Sequence, residues 1–396
     1  MFKQLRSAIL ALTLLAPLAL SACSNDPGSP TTPLIVTGLF NLTGDMAPYD
    51  SPVEQGVRLA VKQQNAAGGI HGRQIQYATQ DTATEPAKIS ATTSDAIAKG
   101  AIALIGYDDP DSVLSAAPLA QRAGIPFITP GATLPTLPQQ VGDMLFLACY
   151  GDNVQAAAAA EFMYDKLNAR RVYLLTNKGT EYTKGLARYF QTRWNALVPA
   201  GLVLSDTYQV KDTDFSTQIA QLKTVQPPPD AFYIAAYPDE LPQLLPALRS
   251  AGFPQPIVGG DAYDGAPILT LGGQPMSNIY YTTHGALPAP DSGPLHDFVA
   301  AYTKEYGKAP DTIYPALGYD AARLLFDAIG RAPDTSGPAI RTALEAIKGF
   351  AAATGPISYG PAPTGHVPDK SVTVMEIHDG QPRLATVTHP KSVPAP

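Results

Sequence analysis

Catalysis needs reactive side chains at set spacings, and this chain of 396 residues offers few. Its six histidines (His71, His284, His296, His366, His378 and His389) fall in loop-like stretches or near the C-terminus. They have no metal-ligand spacing to one another or to cysteine. Neither a Gly-x-Ser-x-Gly elbow nor a phosphate-cradling glycine loop is present. The densest polar cluster is Tyr107-Asp108-Asp109-Pro110-Asp111-Ser112, which lacks the spacing of a calcium loop. It reads first as a solvated turn, with Asp111 capping the next helix while Asp108 and Asp109 face water. Trp194 sits in a helical pattern and reads as core. With no nucleophile–base pair and no cofactor motif, the chain reads as a binder rather than an enzyme.

The formal charge of −7 and the lack of any basic run exclude a nucleic-acid footprint. The two cysteines divide the work. Cys23 follows a basic start (Lys3, Arg6) and an apolar run from Ala8 to Leu20, too short for the ~20 residues of a bilayer span. That pattern is a signal peptide over residues 1–22. Its exit, Leu20-Ser21-Ala22-Cys23, resembles a bacterial lipoprotein signal, which implies cleavage before Cys23 and lipidation of its thiol. Losing the segment takes the charge to −9. Stable anchoring needs more than one acyl chain. Ser24 after the cysteine resembles outer-membrane sorting in enteric bacteria, although the sequence leaves the membrane open. Residues 23–33 are polar and Pro/Gly-rich, a tether. Cys149, left without a partner, is expected as a buried, inert thiol beside a strand over Leu145–Ala148.

Strands and helices then alternate. Leu34–Phe40, Gln74–Gln80, Ala101–Ile105 and Pro126–Thr129 read as strands. Between them lie helices over Pro52–Asn65, Pro86–Lys99 and Ser112–Ala123, with Pro52 in a first helical turn. The rhythm restarts with helices Val154–Leu167, Thr183–Leu197 and Glu240–Ser250 and strands Arg171–Thr176, Leu202–Gln209, Ala231–Ala236 and Ile257–Gly260. Asp214 is placed as the cap of a helix carrying Phe215. After the strand Ile279–Thr283 come three helices in a row, then two short strands about Asp379-Gly380. The pattern predicts parallel sheets covered by helices on both faces, in two similar units. The late helices need a sheet to cover, so the chain returns to the first unit.

In order along the chain stand Leu42-Thr43-Gly44, Asn65-Ala66-Ala67-Gly68-Gly69-Ile70-His71-Gly72-Arg73, Asp81 with Glu85-Pro86-Ala87, and Ala103-Leu104-Ile105-Gly106. Further on come Gly124-Ile125-Pro126, Pro130-Gly131-Ala132-Thr133, Tyr182 before Gly185-Leu186-Ala187, Thr213-Asp214-Phe215-Ser216, and Gly259-Gly260-Asp261. From Ile35 to about Gly380 this order resembles the periplasmic leucine/isoleucine/valine-binding proteins of ABC transporters and their amide- and urea-binding relatives. The resemblance implies the α/β type I periplasmic binding protein fold: two doubly wound, Rossmann-like lobes joined by a three-segment hinge. Lobe 1 is expected over 34–150 and 282–370, lobe 2 over 151–281 and 371–390. Ligand is expected between them at the carboxyl ends of the strands, buried by closure.

The same resemblance assigns the site. Thr133 and the N–H groups of Ala132 and Thr133 match donors to an α-carboxylate. Asp261 matches the acceptor of an α-ammonium. Tyr237 and Tyr182 match contacts from the second lobe, and Tyr49 an aromatic wall in the first. One departure stands out: Pro110 falls where relatives place a serine that would offer hydroxyl and N–H to an anion. Either Ser112 takes over, with Asp109 beside it, or the ligand is no simple amino acid but cationic or amide-bearing. Expected partners are a small-molecule ligand, an ABC permease with its cytoplasmic ATPase, and a membrane through Cys23. The expected location is periplasmic, with no cofactor and no metal. Rival readings are a protein-binding lipoprotein, such as an activator of penicillin-binding proteins, and a ligand-sensing subunit of a membrane signalling system.

Overall fold

Apolar, β-branched runs such as Leu34-Ile35-Val36 have no polar face to give to water, so they become strands buried on both sides. The computed structural model describes residues 32–265, 270–271 and 274–396. The 1–22 segment, Cys23 and nearly all of the 23–33 tether lie outside the described residues. Among the described residues no helix is long and apolar enough to cross a membrane.

The first unit comprises β1 (Leu34–Phe40), α1 (Ala47–Ala66), β2 (Ile75–Asp81), α2 (Pro86–Ala98), β3 (Ala103–Gly106), α3 (Pro110–Ala123), β4 (Phe127–Thr129), α4 (Leu137–Val141) and β5 (Leu145–Leu147). Its five strands are parallel in the order β2-β1-β3-β4-β5. The second unit follows with α5 (Asp152–Asp165), β6 (Val172–Asn177), α6 (Glu181–Leu197), β7 (Leu202–Tyr208), α7 (Ser216–Thr224), β8 (Ala231–Ala235), α8 (Leu241–Ser250) and β9 (Ile257–Gly259). A small ribbon, β10 (Thr270–Leu271) and β11 (Gln274–Pro275), precedes β12 (Ile279–Thr283).

Helices α9 (Pro294–Tyr306), α10 (Tyr314–Arg331) and α11 (Gly337–Glu345) come next, then β13 (Val372–His378) and β14 (Gln381–Thr388). The second sheet runs β14-β13-β12-β9-β8-β6-β7. Its parallel part repeats the topology of the first sheet: the founding strand lies second, and the order reverses beside it. Such reversals open a crevice at the strands' carboxyl ends. β13 and β14 extend the sheet antiparallel. β12 stays paired to Thr283, two residues beyond the boundary drawn at 281, because β13 pairs along its whole length.

Helix α10 returns to the first unit and packs on α1 at backbone contact. A Cβ on Gly56 would fall 1.8 Å from the Pro315 carbonyl oxygen, and one on Gly318 would fall 2.0 Å from that of Val53. Only glycine permits this approach. The chain crosses between the sheets near 148–151, 284–293 and 367–371. Cys149, on the first crossing, is a free, fully buried thiol that burial holds well above its ordinary pKa. Helix α1 starts at Ala47, so Pro52 lies inside it rather than in its first turn. The earlier start places Tyr49 on a helix. Trp194 is fully buried and stacked on Phe190.

Candidate functional site

Loops leaving the carboxyl ends of β1, β3 and β4 in the first sheet and of β8 and β9 in the second meet at the seam, so those loops decide what the seam offers. After β3 the backbone takes a left-handed turn at Tyr107 (φ 59°), costly for a large side chain. The Asp108 N–H then donates to Asp50 Oδ1 of α1 at 3.0 Å. Asp109 is the N-cap of α3, its Oδ1 accepting the Ser112 N–H at 2.8 Å. Asn41 Nδ2 donates to the Ser112 hydroxyl at 3.2 Å. Ser112 is therefore turned into the protein and does not line the cavity described below.

The expected roles of the acids change. Asp109 rather than Asp111 caps the helix, and burial pushes its carboxyl up to about 6. Asp111 reaches across the seam to accept the Glu181 N–H of α6 at 3.3 Å. Asp108 does not face water: both its carboxylate oxygens are buried and meet no donor in hydrogen-bond geometry. Burial, then the Asp50, Asp261 and Asp109 charges, hold it well above the usual carboxylate range, and the nearby Gly131 amide opposes them least.

The loop after β4 is locked from within. The Thr129 hydroxyl donates to the Tyr107 carbonyl at 2.7 Å and accepts the Ala132 N–H at 3.2 Å. Ala132 is fully buried and its donor is spent, whereas Thr133 lines the seam. Its carbonyl accepts the Asp152 N–H at 2.6 Å.

From the second sheet Asp261 projects just past β9, with Tyr182 and Gln155 holding it. The Tyr182 hydroxyl donates to Asp261 Oδ1 at 2.8 Å, and Gln155 Nε2 to the same oxygen at 2.8 Å. Gln155 Oε1 in turn accepts the Asp261 N–H at 3.1 Å and the Thr282 hydroxyl at 2.6 Å. His284 Nε2 lies 3.0 Å from Asp261 Oδ2. Burial lowers the His284 pKa against the pull of Asp261, so its neutral ring donates through Nε2 while stacking on Tyr150 at 4.0 Å. The Tyr314 hydroxyl donates to the Asp261 carbonyl at 2.8 Å.

Tyrosine rings bridge the two units. Tyr49 meets Tyr237 edge-on at 5.9 Å and Tyr314 at 5.3 Å, and Tyr237 meets Tyr182 at 5.3 Å. The space left is small, about 20 Å³, little more than the room one water needs. Met46, Tyr49, Asp108, Gly131 and Thr133 line it from the first unit. Tyr182, Tyr237, Asp261 and Ala262 line it from the second, and Tyr314 from the returning helix α10. Of the residues singled out in the sequence, Tyr49, Thr133, Tyr182, Tyr237 and Asp261 meet here; Ala132, Asp109 and Ser112 stand behind the wall.

Two doubly wound units with a polar cavity at their shared seam have the architecture of a solute-binding receptor, not of an enzyme. The model of the family described as periplasmic binding protein matches residues 36–382, and the chain belongs to that family. It is 27% identical over 344 residues to the Leu/Ile/Val-binding protein BraC3 of Rhizobium johnstonii, covering 86% of this chain and 90% of that one. Among solved structures it is similar to the branched-chain amino acid transporter substrate-binding protein LivJ of Streptococcus pneumoniae in complex with isoleucine. That match has a TM-score of 0.82 at 28% identity, over 91% of this chain and 100% of the other. The leucine-binding protein LivK of Thermotoga maritima also gives a TM-score of 0.82 at 28% identity, over 90% and 99%. The expected family and type I fold hold.

Sequence reasoning missed Asp108 as a wall, Tyr314, and the Gln155 and His284 supports. Gln155 left a usable trace: a lone amide beside the Ala156–Ala160 run, on a helix buried nearly all round. Tyr314 left none, since only the return of α10 to the first unit brings it to the seam.

Proposed function

We propose that this chain is the exported solute receptor of an ABC importer, held to a membrane through an acylated Cys23. Its lobes close by a hinge over one small polar molecule, an amino acid or an amino-acid-like, amide-bearing or cationic solute, and present it to a permease. The observation that carries this reading is the seam cavity, walled by loops from the carboxyl ends of both sheets. A site split between two bodies binds fully only when they come together, so occupancy and closure are coupled. The relatives named for leucine, isoleucine and valine support an amino-acid-like guest. A receptor for a protein partner would have its cleft plugged by bulky apolar side chains; this one keeps space among tyrosines and carboxylates.

A thermal-shift screen with amino acids, amides, urea and polyamines tests the reading. Ligand at a hundred times its Kd stabilises a protein by about 2.7 kcal/mol, which moves a melting curve visibly. A shift with one class of solute is expected; no shift with any of them rejects the reading.

A further inference from the structure

We infer that the seam cavity takes a small organic cation whose charged nitrogen bears hydrogens, an amine, amidine or guanidine with no carboxylate beside it, and that Asp108 receives that nitrogen. The inference rests on the receptor reading above and narrows its ligand. Among the described residues two carboxylates line the cavity and no lysine or arginine does. Asp261 already accepts from Tyr182, Gln155 and His284. Asp108 has no side-chain donor, its oxygens are buried, and the nearby Gly131 amide is the single group that favours its charge. A buried acid without side-chain donors is costly as an anion, and the hydrogens of a cation beside it would stabilise its charged form.

Three further features point the same way. Tyr49, Tyr182, Tyr237 and Tyr314 form a continuous aromatic wall, and ring faces attract cations. An adjoining space of about 180 Å³ shares Met46, Tyr49 and Tyr237 with the cavity and carries Asp45, Asp109, Asp111, Asp239 and Glu240. Its one cation, Lys211, is paired with Asp45 at 2.9 Å. A cleft of a single sign concentrates counter-ions at its mouth. Conversely, part of the cradle expected for a ligand carboxylate is lost. The Ala132 N–H is spent, and the Asp108 carboxylate leans on the Gly131 turn, where an added Cβ would fall 2.6 Å from Oδ1. The left-handed Tyr107 holds Asp108 in that position. Among the described residues the acids do not converge as a metal site, which favours an organic cation.

Calorimetric titration of the purified protein with 3-methylbutylamine, putrescine, agmatine, leucinamide and L-leucine tests this. 3-Methylbutylamine is leucine without its carboxylate, so the pair isolates the disputed group. At least one amine or guanidine is expected to bind one-to-one, at least about tenfold more tightly than L-leucine. Asp108→Asn should weaken that binding at least about tenfold, the scale of a lost charge-assisted hydrogen bond. Its unliganded melting temperature should be unchanged or higher, because the amide removes an unpaired buried acid, and this separates lost affinity from lost fold. The smaller Asp108→Ser should act in the same direction. L-leucine binding more tightly than every carboxylate-free probe, or amine affinity indifferent to both variants, overturns the inference and leaves the receptor standing. Silence from all five probes overturns both.

Discussion

A buried carboxylate is tolerated when donors surround it, and Asp261 and Asp152 show the two outcomes side by side. Asp261 takes hydrogen bonds on both oxygens from three side chains. Asp152, one link away through Gln155, accepts on Oδ1 only and leaves Oδ2 without a partner. Burial first, then the Asp261 charge, pushes Asp152 up to about 8, while Thr133, Gln155 and Arg188 oppose. An acid whose folded pKa is raised binds more protons folded than unfolded, so its contribution to stability falls as pH climbs from about 4 to about 8. Asp152→Asn removes that dependence and keeps an acceptor for Gln155. Relative to wild type, the variant should gain up to about 1.4 kcal/mol per pH unit across that window, read by denaturant unfolding at pH 5 and 7.5. A constant difference would show that Asp152 titrates normally.

At this scale the sequence was half legible. Thr133 and Asp261 stood out because a tight turn and a strand end preceded them. Asp108 was misread as solvated because its burial comes from loops far away in the chain, Asp50 on α1 and Gly131 after β4.

Elements bring these side chains to one place, and the α1–α10 contact does most of it. Tyr49 lies in the first turn of α1 and Tyr314 opens α10, so the Gly56 and Gly318 notches that let the backbones touch also set those rings 5.3 Å apart. Gly56→Ala puts a methyl into the Pro315 carbonyl, and both helices must move. The expected cost is at least about 2 kcal/mol of unfolding free energy, the range of overpacked cores. Ligand affinity should fall with it as the ring wall opens. Unaltered stability would mean the helices sit farther apart than described.

The alternating pattern of the sequence located nearly every strand and helix of both units, since apolar runs and their turn residues are local signals. The start of α1 was misplaced because Pro52 suggests a first turn, yet a proline one turn inside sacrifices only a single hydrogen bond. The pairing of α10 with α1 could not be read locally at all.

On the scale of the whole molecule, the parallel parts of the two sheets share one topology, and contacts cross the seam that the proposed opening would break. Asp111 meets the start of α6, Lys211 meets Asp45, and the Tyr49 hydroxyl lies 3.5 Å from the Ala262 carbonyl oxygen. Exposed pairs such as Lys211–Asp45 are worth about 0–1 kcal/mol each, so they cannot hold the lobes closed unaided. In the proposed cycle the guest supplies the remainder. That makes Asp261 the test case, because it projects from the second sheet into the cavity and its carboxylate is held by Tyr182, Gln155 and His284 rather than by the first unit.

The decisive measurement is calorimetric titration of wild-type and Asp261→Asn protein with the tightest-binding solute from the screen. The account predicts one site per chain in the wild type and at least about tenfold weaker binding in the variant, which removes one of the two carboxylates lining the cavity and turns an amide toward a donor of Asp261. Equal affinity in the two proteins would place the solute outside the seam and contradict the account.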